Sequence, residues 1–129
     1  MKKIIILTIL ISALTGCIKN ENFSETCKTE NLSANITDKT STKVTYNNKD
    51  EILTAVITKT YKSKNDEGKE TIKSIKESSD TYNQKYADNP NIKIEISADT
   101  EDEYQIKYHL EVQNLDDDIL REFNLRKNS

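Results

Sequence analysis

Apolar residues crowd the first fourteen positions of this chain and then thin out into short alternating runs. Ile4, Ile5, Ile6, Leu7, Ile9, Leu10, Ile11 and Leu14 follow the basic pair Lys2 and Lys3. A segment from Ile4 to Leu14, at ~1.5 Å per helical residue, reaches about half of a ~30 Å hydrocarbon core, so it reads as an export leader and not as a durable span. From Ile18 to about Thr29 the chain is polar and aperiodic, with Phe23 its lone aromatic residue, and it reads as a tether. Leu32, Ala34 and Ile36 then alternate with polar residues, as do Val44 and Tyr46, which predicts two short strands with a Thr/Ser/Asp/Lys turn between them. Asn47-Asn48-Lys49-Asp50 marks a second turn, because Asn tolerates left-handed backbone. A third strand is expected from about Glu51 to Lys62, with Leu53, Ala55, Ile57 and Tyr61 on the core face and Ile52 and Val56 on the other.

The period changes after Ser63 to Lys69, a segment containing Asp66-Glu67-Gly68 that reads as a flexible connection. Ile72, Ile75, Ser79, Tyr82 and Tyr86 step by three or four, predicting a helix from roughly Lys69 to Ala87 that Asn89-Pro90 stops. Ile92, Ile94, Ile96 and Ala98 alternate with polar residues, Asp99 to Asp102 turns the chain, and Tyr104, Ile106, Tyr108, Leu110 and Val112 alternate again: a hairpin. Leu115 and Asp116 match the residue before an N-cap and the cap itself, with Leu120 placed to staple over Leu115, so a short final helix should turn Ile119, Leu120 and Phe123 inward. The expected fold is α+β: a single antiparallel sheet of about five strands, one face covered by the long helix, with a short C-terminal helix and a cleaved leader. The expected division is a leader at 1–16, Cys17 and a tether at 17–29, and one small domain at 30–129.

Leu14-Thr15-Gly16-Cys17, behind a basic start and an apolar run, has the form of a lipobox and resembles the leader end of bacterial lipoprotein precursors. That resemblance implies cleavage between Gly16 and Cys17 and a diacylglyceryl thioether on Cys17, which anchors the mature protein to the outer side of a bacterial membrane, the outer membrane being an option in a Gram-negative cell. This leader, the segment Val44 to Ile52, the tyrosine-bearing helix and the ending Leu115 to Leu125 together are similar to the YehR-like group of small bacterial lipoproteins. The resemblance implies a fold and a location but no substrate and no catalytic residue, since the molecular function of that group is uncharacterised.

Charge and chemistry narrow the picture. Removing Lys2 and Lys3 with the leader leaves 17 basic against 22 acidic residues, a formal charge of −5, with no basic stripe, which argues against nucleic acid as a partner. Glycine occurs only at Gly16 and Gly68, so there is no glycine-rich phosphate loop. His109 is the single histidine and is expected on the solvent face with Lys107 and Glu111, so no catalytic triad or His/Cys zinc set is assembled, and neither cofactor nor metal is called for. Asp116-Asp117-Asp118 suits a helix N-terminus and lacks the glycine and distal glutamate of a calcium loop. Once Cys17 carries lipid, Cys27 has no mate within the chain; it then stays reduced or forms a disulfide-linked dimer. Tyr46, Tyr61, Tyr82, Tyr86, Tyr104 and Tyr108 are candidate contacts for a peptide, glycan or small lipid, and equally fit the core and its rim. The resulting expectation is a non-enzymatic envelope lipoprotein that binds an envelope or host-surface component. Its alternatives are an accessory ligand-capture module for a transporter and, more remotely, an envelope hydrolase that uses a carboxylate pair.

Overall fold

A computed structural model describes residues 12–20 and 23–128, the side chains of 12–15 and 19–20 excepted. Six strands form one antiparallel sheet in the order β1-β2-β3-β4-β6-β5. They are β1 (Ser12–Asn20), β2 (Ser24–Leu32), β3 (Ile36–Tyr46), β4 (Ile52–Ser63), β5 (Ile92–Asp99) and β6 (Glu103–Glu111). The long helix α1 (Asp66–Asn83), continued by a 3-10 turn over Gln84–Tyr86, connects β4 to β5, and the short helix α2 (Asp117–Glu122) closes the chain. The α+β class, the helix-covered antiparallel sheet and the short final helix are as expected; the strands number six where about five were predicted. Residues 1–11 of the expected leader lie outside the described residues, and its last five, Ser12 to Gly16, form the first part of β1.

The first half of the sheet departs most from the periodicity. The segment expected as a tether is strand: Cys17 to Asn20 in β1 pair with Ser24 to Cys27 in β2. The turn expected between Ile36 and Val44 is the middle of β3, paired along its length with β4. The actual reversal is Ser33-Ala34-Asn35, where the Ser33 hydroxyl donates to the Ile36 carbonyl at 3.0 Å. Helix α1 lies chiefly over β4 and touches β3 and β6 to a lesser and similar extent. β2 lies beyond its main contacts, so the corresponding face of β2 and much of β3 is less covered than that of β4. Thr29, Asn31, Asp38, Thr40 and Thr42 on that face therefore have no need to be apolar, and the alternation that signals a strand is missing.

Directly paired residues share a face, so the register gives the layout of the core. Asp38, Tyr61 and Tyr104 form one row toward the helix; Thr40, Lys59 and Ile106 form the next; Thr42, Ile57 and Tyr108 follow; and Val44, Ala55 and Leu110 complete it. The first three rows are polar at the β3 end, the fourth begins with Val44, and all are apolar at β6, where Ile72 and Tyr86 of the helical layer join the core. The assignment of Ile52 and Leu53 is reversed: Ile52 is buried and Leu53 is 40% exposed. A register shift between Thr45 and Tyr46 pairs Tyr46 with Ile52 and Thr45 with Thr54, and the extra residue in β4 turns Leu53 outward. Ile52 is held at this point by backbone bonding, its N–H donating to the Lys127 carbonyl at 2.7 Å and its carbonyl accepting from Gln113 at 2.6 Å.

Helix α1 starts earlier than predicted. Asn65 caps it, its side-chain oxygen accepting from the Gly68 N–H at 2.8 Å, and the segment read as a flexible connection is the helix's first turn. At the other end the helical chain stops ahead of Asn89-Pro90, as expected. In α2, Asp116 occupies the N-cap position, but its side chain makes no capping hydrogen bond; its backbone carbonyl accepts from the Leu120 N–H at 3.0 Å. Leu115, Leu120 and Phe123 are buried, as the staple and the inward face require. In the turn at 47–51 the left-handed residue is Asp50, while the Asn47 side chain accepts from the N–H groups of Lys49 and Glu51.

Candidate functional site: a tyrosine cleft between helix and sheet

The polar end of the core rows leaves a cleft beside α1. Lys59 and Tyr61 of β4 and Ile106 and Tyr108 of β6 face Thr71, Ser74, Ile75, Ser78, Ser79 and Tyr82 of the helix across a space of about 440 Å³. That size falls in the range of small-molecule sites. The helix supplies these residues from one side because they recur every three or four positions, and the strands supply theirs from alternate positions.

Three of the six candidate tyrosines meet in the cleft, and three do not. Tyr61, Tyr82 and Tyr108 line it. Tyr104 is buried behind it, stacked with Tyr61 at a ring separation of 6.3 Å and donating to the Ser79 hydroxyl at 3.2 Å. Tyr86 belongs to the core, with its ring 5.3 Å from that of Phe123 and its hydroxyl bonded to Glu122. Tyr46 is remote, edge-on to Phe23 at 5.9 Å. The Tyr108 hydroxyl donates to Asn83 at 2.7 Å, and that of Tyr82 pairs with Tyr86 at 3.2 Å. Lys85 lies 4.5 Å from the centre of the Tyr82 ring, within cation–π range.

Lys59, which lines the cleft, and Asp38, which adjoins it, were not among the sequence candidates. Lys59 interrupts the inward series Ala55, Ile57, Tyr61, and this break in alternation is the signal that marks it. Asp38 lies opposite Tyr61 on β3, where the sequence suggested a turn. Burial raises the Asp38 carboxyl above its ordinary value, and the Lys59 ammonium pulls it partly back. Burial, followed by the nearby Asp38 charge, pushes the Tyr61 hydroxyl up to about 12. Tyr82 and Tyr108 are also raised, chiefly by burial. For Tyr61 the folded state holds its proton more tightly than the unfolded chain does. Its contribution to stability is therefore complete below the ordinary value of 10.0 and is lost as pH rises to about 12. A tyrosinate absorbance titration should show a component ionising well above the ordinary range, and its latest part, near 12, should be missing in Tyr61→Phe.

The remaining candidates lie elsewhere. His109 is on the opposite face, as expected, and contacts Glu95 at 3.3 Å across the hairpin. That face bears a larger open groove of about 750 Å³ between Gly16, Lys28, Glu30, Lys39, Ser41, Thr58, Thr60, Gln105 and Lys107. Several of its groups satisfy one another: Lys39 meets Glu30 at 3.2 Å, and Gln105 donates to the Thr60 hydroxyl at 2.8 Å. Asp117 and Asp118 stand in the first turn of α2, with Arg121 paired to Asp118.

Cys17 and Cys27 are opposed in the β1–β2 register and joined by a disulfide in the unmodified chain, whereas the expectation of a Cys27 without a mate applies to a chain whose Cys17 carries lipid. Glu25 lies close by, and with the two cysteines it forms a cluster whose donor atoms lie within 4.8 Å of one another; in the disulfide, neither sulfur is available as a thiolate ligand. Among the described residues no helix is long and apolar enough to cross a membrane. No family model, curated protein or solved structure matches this chain.

Proposed function

We propose that this chain is a lipid-anchored protein of the bacterial envelope, like the YehR-like lipoproteins it resembles in its leader, and that it binds a ligand or partner outside the cytoplasm without catalysing a reaction. The observation that carries the anchor is Leu14-Thr15-Gly16-Cys17 behind Lys2, Lys3 and the apolar run. Two acyl chains at roughly 0.8 kcal/mol per buried CH₂ hold such a protein at the surface essentially permanently. Cleavage after Gly16 divides β1 and leaves Cys17 to Asn20 on Ser24 to Cys27. A sulfur in a thioether forms no disulfide, so the Cys17–Cys27 bond belongs to the unlipidated chain, and the lipidated one carries Cys27 as a thiol. The small-molecule size of the cleft favours a second form of the same reading, an accessory module that captures a ligand for a transporter.

Intact mass and membrane fractionation of the full-length chain, beside Cys17→Ser, test the anchor. The wild type is expected in the membrane with a diacylglyceryl mass on a chain that starts at Cys17, and the variant is expected unlipidated and outside the membrane fraction. Equal masses and equal partitioning of the two would overturn the reading.

A further inference from the structure

Along β4 the inner face of the sheet breaks its apolar pattern at Lys59, and the groups around that position are unspent. Lys59 sits between Thr40 and Ile106 in its row, at a position whose neighbours along β4 are Ile57 and Tyr61. Among the described residues the Lys59 ammonium, the Tyr61 hydroxyl and the Asp38 carboxylate make no hydrogen bond or close ion pair, and the side chains of Ser74 and Ser78 on the facing helix make none either. The other side of the cleft is the reverse: Ser79, Asn83, Tyr104 and Tyr108 have satisfied one another. A fold that places a lysine and an aspartate on its core-facing surface and leaves both without close partners forgoes packing and desolvation energy that an apolar pair would retain. Departures of this kind mark sites kept for a ligand.

The chemistry of the unspent groups selects that ligand. An ammonium only donates, a carboxylate only accepts, and the three hydroxyls do both. A phosphate or carboxylate ligand would meet Asp38, a cationic ligand would meet Lys59, and a hydrocarbon would leave all five groups dry and unpaired. A neutral ring bearing several hydroxyls suits the mixture, because each of its hydroxyls both donates and accepts. The rings of Tyr61 and Tyr82 offer apolar surface for its C–H face. Ser74 and Ser78 are exposed, so the cleft is open on the helix side and a longer chain can run out into solvent.

We propose that the cleft between β4 and α1 binds a sugar residue of an envelope glycan, with Lys59, Ser74 and Ser78 of its wall and Asp38 beside Tyr61 at its edge bonding the sugar hydroxyls, and Tyr61 and Tyr82 flanking the ring. This rests on reading the protein as a binding protein of the envelope, but its test does not depend on the anchor. The full-length chain, purified from whichever fraction holds it, is titrated with chitotetraose, maltotetraose and mannotetraose, and separately with sodium phosphate and sodium decanoate. Backbone amide shifts are followed by heteronuclear NMR. The expected result is a saturable shift confined to Lys59, Tyr61, Ser74, Ser78, Tyr82 and their neighbours with at least one of the sugars. Binding should be about tenfold weaker or worse in Asp38→Asn and in Lys59→Met, the effect of losing one charged hydrogen bond. Both variants come with an unliganded spectrum that reports whether the fold is intact, and the wild-type titration stands on its own if either misfolds. No shift with any of the three sugars, shifts at the cleft with phosphate or decanoate in their place, or sugar shifts on the opposite face at Lys28 and Lys107 would overturn the proposal. A cleft that binds sugar in a chain that fails the fractionation test would sink the anchor and leave this site standing, and the converse pair of results would do the opposite.

Discussion

Gly68→Ala is expected to destabilise the protein by about 2–3 kcal/mol, although alanine is the better helix former by about 1 kcal/mol. Gly68 is buried in the first turn of α1, against the Ser33-Ala34-Asn35 reversal. A Cβ placed there would lie 2.1 Å from the Asn35 carbonyl oxygen and 3.1 Å from Ser63 Cβ. The oxygen is backbone and has other duties, since it accepts from the Lys64 N–H at 2.8 Å. Asn65 ties the same joint, donating to the Asn35 side chain at 3.1 Å while capping Gly68 at 2.8 Å. To admit a methyl group the helix start must slide away, and several bonds stretch together. Urea denaturation at neutral pH measures the effect as a lower midpoint with an unchanged slope. A midpoint equal to or above that of the wild type would mean that α1 does not begin against this reversal.

Ile72→Ala, one turn further along, should cost about 2–5 kcal/mol. Ile72 is 1% exposed and is the most deeply buried side chain that α1 presents to the sheet. Its truncation leaves a cavity that the surrounding core, Tyr104 and Ile106 among it, can fill only partly, because these side chains are held on strands paired on both sides. With folded proteins stable by only about 5–15 kcal/mol in total, that loss is a large fraction of the whole. Ile75→Ala is the internal comparison: Ile75 is only partly buried and lines the cleft, so its truncation should cost distinctly less. Equal losses for the two would contradict the orientation of the helix. Calorimetric melting of the three proteins decides between these outcomes.

The same physics explains which elements could be read before the fold was known. The β5–β6 hairpin and the body of α1 were legible because each buries one face, and burial imposes a period: two along Tyr104, Ile106, Tyr108 and Leu110, and three to four along Ile72, Ile75, Ser79 and Tyr82. Leu115 and Leu120 were legible for a related reason, since a staple needs apolar residues at fixed offsets. β2 and most of β3 were not. Their side chains are polar on both faces, and only the backbone ladders to β1 and β4 show that they are strands. The start of α1 was missed because a glycine among acidic residues signals a loop, whereas Gly68 serves a close approach of backbones that lie distant in sequence.

The candidate site divides in the same way. Tyrosines recurring on apolar faces identified Tyr61, Tyr82 and Tyr108, but the same pattern produced Tyr86 and Tyr104, which are packed, and Tyr46, which is remote. Asp38 escaped notice because its strand did. Lys59 was visible as a break in alternation, but a lone break has no meaning until the facing helix is known to leave a cleft beside it.

By itself the sequence determined the class of fold, the elements that bury a face, and the residues of the lipobox-like motif on which the proposed anchor rests, because periodicity and short motifs are local properties of the chain. Only the tertiary structure decided how many polar strands extend the sheet, where a bulge exchanges Ile52 for Leu53, why residue 68 is glycine, that Cys27 lies opposite Cys17, and that Lys59, Tyr61 and Tyr82 share one cleft next to Asp38. Each of these depends on contacts between residues far apart in the chain, set by strand register and by how far one helix covers the sheet, and neither leaves a period in the sequence.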